Sequence, residues 1–70
     1  MTISKAAAQD LAAELHAMSE READKGYYGD ANDISNTANE LDRVIAGTPQ
    51  GEAVAVPMEA RYVAEELGLV

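Results

Sequence analysis

The sequence predicts an all-α, three-helix domain: a small helical hairpin, an extended apolar segment, and a third short helix packed across the pair. Three observations lead there. Apolar residues recur at helical spacing in two stretches, Ala8-Leu11-Leu15-Met18 and Ile34-Ala38-Leu41-Ile45. Glycine-bearing breaks, Gly26-Tyr27-Tyr28-Gly29 and Gly47-Thr48-Pro49-Gln50-Gly51, separate them from each other and from the C-terminal segment. Seventy residues leave room for one small core and for no separate catalytic lobe.

The first helix is expected over about residues 3–25, a stretch rich in alanine and other helix formers. Thr2 or Ser4 can cap its N-terminus, and Gly26 after Lys25 supplies the stop, with a cation near the negative end of the helix dipole. Two glycines within four residues then mark a hinge. Asp30, Asn32 or Asp33 can cap a second helix over about residues 31–46, with Thr37 and Val44 widening its apolar stripe and Gly47 ending it. Two antiparallel helices joined by a short loop result.

Residues 47–57 read as a turn and an extended segment. Glu52-Ala53-Val54-Ala55-Val56 alternates like a strand, and Pro57 drives Val56 out of the α region. A strand here has no visible partner unless a second chain supplies one, so the segment is expected to cross the hairpin as extended chain. Pro57 suits the first turn of a third helix over about residues 58–67, containing Met58, Tyr62, Val63 and Leu67 and stopped by Gly68. Leu69 and Val70 form an apolar tail, and no internal repeat is present.

Much of the hydrophobic content is alanine, there is no Phe or Trp, and the aromatic residues are Tyr27, Tyr28 and Tyr62. High charge with few large apolar groups is also the signature of disorder, and the helical periodicity argues against it. A core this small normally recruits a disulfide, a metal or a partner. The chain has no cysteine, which removes disulfides and thiolate metal sites and leaves association. Asp10 and Glu14 interrupt the N-terminal region where a signal peptide needs an apolar run, and no stretch approaches a membrane span. A cytoplasmic chain with no membrane contact is expected.

No catalytic set emerges, and no cofactor or metal is expected. His16 can pair with Glu20 one turn on, but no Ser, Cys or second His stands with it at relay spacing. Asp30, Asn32 and Asp33 invite comparison with a calcium loop. Started at Asp30, that loop requires Gly where Ser35 stands and Glu where Leu41 stands. The glycine pairs Gly26/Gly29 and Gly47/Gly51 lack the lysine that completes a phosphate loop. Tyr27 and Tyr28 could stack on bases, yet Asp24 and Asp30 flank them and only five basic residues are available. Direct nucleic-acid binding is not expected.

Thirteen acidic residues face five basic ones, a formal net charge of −8. The imbalance is spread along the chain, −2 over residues 1–25, −3 over 26–48 and −3 over 49–70, so it surrounds the molecule. Within that field Arg61 can pair with Glu65. Solvation of a small alanine-rich protein is the plain use of such charge. The sharper use is mimicry of a phosphate array that occupies a basic protein surface.

The leading expectation is therefore a non-enzymatic inhibitor or adaptor bound to a basic protein. Tyr27, Tyr28, Asp30 and Asp33 form its hinge-side surface, and Glu20, Glu22, Asp24, Glu40 and Asp42 are further electrostatic contacts. In size and composition the chain is similar in kind to the small inhibitors that phages and other mobile elements use against host defence proteins. That likeness transfers no residue role. Two other classes stand beside it. One is a self-assembling homo-oligomer joined through Val54, Val56, Leu69 and Val70. The other is an antitoxin or transcription-linked regulator, for which acidity suits the toxin-neutralising half better than operator DNA.

Overall fold

A computed structural model describes all residues, 1–70. Element order is β1 (Thr2–Ile3), α1 (Lys5–Asp24), α2 (Tyr28–Gly47), β2 (Val54–Ala55) and α3 (Met58–Glu66). The architecture is the three-helix all-α domain expected, with one short antiparallel strand pair added.

Helix α1 begins where Ser4 caps it, the Ser4 hydroxyl accepting from the Ala7 N–H at 3.1 Å. Thr2 is left to the strand. At the other end Gly26 takes φ +88°, its N–H donating to Ala23 O at 3.0 Å while the Tyr27 N–H donates to Glu22 O at 2.9 Å. This paired closure is a Schellman motif, and it needs a left-handed residue at Gly26 alone.

Helix α2 then starts at Tyr28, earlier than the expected residue 31. Tyr27 occupies the cap position without a side-chain hydrogen bond, its carbonyl accepting from the Ala31 N–H at 2.9 Å. Asp30, Asn32 and Asp33 are therefore helical, and none of them is the cap. Asp30 still lies in the first turn, where a carboxylate complements the helix dipole. The C-terminus of α2 carries no basic residue of its own. Lys5 supplies one from α1, its Nζ donating to Thr48 O at 2.9 Å, and the Thr48 hydroxyl donates to Val44 O at 2.7 Å.

The 47–57 segment finds its strand partner inside the same chain. Thr2 stands opposite Ala55 and Ile3 opposite Val54, and the Val56 N–H donates to Met1 O at 3.0 Å. No second chain is needed to complete this pair, and the first helix is shortened at its start to free residues 2–3. Pro57 caps α3, and Gly68 and Leu69 close it with the same paired carbonyl bonds, to Glu65 O and Ala64 O.

The core joins Ala8, Leu11, Ala12 and Leu15 of α1 to Ala38, Leu41 and Ile45 of α2, with Ile3 and Val54 at one end. Helix α3 contributes Ala60, Val63 and Ala64. Met58 and Leu67, the largest aliphatic side chains of the segment expected as the third helix, are 81% and 44% exposed. The buried face of α3 is the one that carries Ala60, Val63 and Ala64, so its smallest side chains turn inward. Six of the thirteen buried residues are alanine, so little apolar area is withdrawn from water per helix contact.

Candidate interaction surface

The hairpin tip presents Tyr27 and Tyr28, 57% and 71% exposed, with Asp30 beside them in sequence and exposed too. Neither tyrosine belongs to the core cluster. Asp33 lies one turn further along α2, on the face that also carries Glu40. The nine acidic and aromatic residues expected to bind a partner thus divide between the tip, the α1 surface and two sides of α2, Asp42 facing His16 of α1 and standing apart from Asp33 and Glu40.

Local pairing changes what each carboxylate can offer. Glu22 is partly buried and meets Lys25 at 3.4 Å. Asp42 is taken by His16, whose Nε2 lies 2.8 Å from Asp42 Oδ2 across the α1–α2 interface, so Glu20 is not the partner of that imidazole. Glu20, Asp24, Asp30, Asp33 and Glu40 are exposed and outside every ion pair. Arg21 meets Glu14 at 2.7 Å, and Arg61 meets Glu65 at 3.9 Å, as the i,i+4 spacing suggests.

His16 and Asp42 form two members of an acid–base relay, and the third is missing. No hydroxyl group hydrogen-bonds to the imidazole, and Ser19, Thr37 and Thr48 spend their hydroxyls on the backbone carbonyls of Ala31, Asp33 and Val44. No three His, Asp or Glu side chains gather closely enough to hold a metal ion. No helix is long and apolar enough to cross a membrane.

The largest concavity, about 710 Å³, is a groove that periodicity does not reveal. It opens between α2 and α3, over part of α1. Leu15 and Val63 are nearly inaccessible at its base, and Met18 and Ile34 line it above them. Tyr62, 65% exposed, forms part of the α3 wall. The Glu66 carboxylate one turn on favours the protonated phenol, as an acceptor for its hydroxyl and as a negative charge, and holds it above its usual value of 10.0. Asp33, Glu40 and Glu59 edge the groove together with Arg43.

Of the residues considered for self-association, Val54 is fully buried in its own core, and Val56 and Leu69 pack against that core. Val70 is 57% exposed. Comparison of the chain with family models, with curated proteins and with solved structures returns no match.

Proposed function

We propose that this chain is a cytoplasmic, non-enzymatic protein-binding module, an inhibitor or adaptor that occupies a basic surface of a nucleic-acid-handling or defence protein. One observation carries the reading. Nine of the thirteen carboxylates stand outside every ion pair, and all nine are exposed. They cover α1, α2, the 48–53 connection and α3, so a partner approaching from several sides meets the same sign of potential. Carboxylates held on rigid helices can stand in for phosphates, and steering of this kind raises association rates by roughly ten- to a thousandfold at low salt.

Two exposed tyrosines at the hairpin tip supply what charge alone lacks. A large ring with little rotamer entropy to lose makes an anchor, and Tyr27 and Tyr28 have no competing role in the core. The self-assembling alternative draws less support, since Val54 and Leu69 are already engaged within the chain.

Capture from a lysate of cells that carry the gene tests the reading, with the tagged chain and a variant reversed to Lys at Glu20, Asp24, Asp30, Asp33 and Glu40. The expected result is a basic protein retained at low salt, released as salt rises, and absent with the variant. Equal retention by both chains, or recovery of the bait alone, would refute it.

A further inference from the structure

We propose that the α2–α3 groove is the seat for a short amphipathic helix of the partner, basic on its flanks and apolar on the face turned inward. The proposal rests on the protein-binding reading and says which surface makes the specific contact.

The groove results from a mismatch of lengths. Helices α1 and α2 have 20 residues each and α3 has 9, so at 1.5 Å per residue the hairpin runs about 30 Å and the third helix about 13 Å. One short helix cannot cover the hairpin face, and the apolar strip holding Met18 and Ile34 stays partly open. Along α2 the lining positions 33, 37, 40 and 43 repeat at three and four residues, a single stripe about 15 Å long. That is the length of two to three helical turns. A helix laid there would complete the layer that α3 begins, by the helix-in-groove mode in which anchors at i, i+3, i+4 and i+7 enter an apolar trough. Met18 suits such a floor because an unbranched thioether adapts to the side chain placed on it.

Charge selects the occupant. Asp33, Glu40 and Glu59 on the edges have no ion-pair partner in the chain, and each is exposed. Arg43 is the one basic side chain that makes neither an ion pair nor a hydrogen bond. The complementary helix therefore carries Lys or Arg on both flanks and a single acidic residue at the end that meets Arg43. A second copy of this chain is a poor occupant, because it brings a net charge of −8 and the same carboxylate edges.

The test is selection from a displayed library of three-turn peptides patterned as amphipathic helices, with basic, neutral and acidic flanks, against the full chain. Enriched peptides are then measured against two variants of equal charge change, Asp33→Lys/Glu40→Lys/Glu59→Lys at the groove and Asp10→Lys/Glu20→Lys/Asp24→Lys on α1. Circular dichroism checks that both remain helical, and Tyr62→Ala gives an uncharged change in the wall. Enrichment of basic-flanked helices, weakened at least about tenfold by the groove triple and by several-fold with Tyr62→Ala but little by the α1 triple, is expected. Equal loss with both triples would overturn the groove while leaving a general acidic binding surface intact. Enrichment of acidic or neutral helices, or of none, would overturn it outright. So would a dimer of the native chain in sedimentation that Tyr62→Ala dissolves, since the groove would then belong to a second copy.

Discussion

Ile3 stands opposite Val54 in a strand pair only two residues long, and both side chains are buried in the same core as Leu11 and Leu41. The pair joins the start of the chain to the segment that leads into α3. Its energetic importance lies in burial more than in hydrogen bonding, since two residues of ladder contribute little alone. Ile3→Ala should cost about 2–5 kcal/mol. A domain of this length has roughly 4–10 kcal/mol in total, so a large part of its stability is at stake. Urea denaturation reads the loss directly, and an unchanged midpoint would mean that the N-terminal strand does not hold the fold.

Gly26 and Gly29 look alike in sequence and should respond oppositely to alanine. Neither position has an atom within 4 Å of where a Cβ would stand, so crowding plays no part. Gly26 holds φ +88° at the end of α1, and alanine there should cost about 1–2 kcal/mol for the left-handed backbone. Gly29 sits in the first turn of α2 with no positive φ, and alanine should stabilise by about 0.5–1 kcal/mol through the unfolded chain. Thermal melting of the two variants gives the signs, and an undiminished melting temperature for Gly26→Ala would show that α1 does not depend on the Schellman closure.

These two positions also mark what is legible in the sequence. The stripes Ala8-Leu11-Leu15 and Ala38-Leu41-Ile45 announce the hairpin because a buried helix face leaves a local period. The start of α2 is misplaced because glycine composition does not say which residue takes positive φ, and here Gly26 takes it alone. The Ile3–Val54 pairing joins segments about fifty positions apart and is too short to alternate, so no local pattern can reveal it. The inward face of α3 is missed because Met58 and Leu67 outweigh Ala60 and Ala64 in hydrophobicity, whereas close approach of helices favours the alanines. Of the proposed interaction surface, the acidic residues and the tyrosine pair can be named from composition. The groove cannot be, since it depends on where a short α3 sits across the hairpin.

The His16–Asp42 contact is expected to contribute little to stability despite its 2.8 Å distance. The side chains are 43% and 50% exposed, so water competes for both partners. A double-mutant cycle with His16→Ala and Asp42→Ala should return a coupling of at most about 1 kcal/mol. A coupling of several kcal/mol would show that the pair acts as a fixed strut between α1 and α2, and would give reversal of Asp42 a structural cost to be separated from any effect on binding.

Tyr62 provides a titration that reports on the groove wall. The Glu66 carboxylate, as an acceptor for the hydroxyl and as a negative charge, favours the protonated phenol, so its ionisation lies above the ordinary 10.0. Removing the charge by Glu66→Gln should bring the midpoint down toward that value. The phenolate absorbance can be tracked in a chain with Tyr27→Phe and Tyr28→Phe, so that one ring titrates. A basic helix seated in the groove acts in the opposite sense to Glu66, because a nearby cation stabilises the phenolate, and should lower the midpoint even with Glu66 in place. A midpoint that ignores both Glu66→Gln and the bound peptide would place the Tyr62 hydroxyl away from Glu66 and away from the proposed seat.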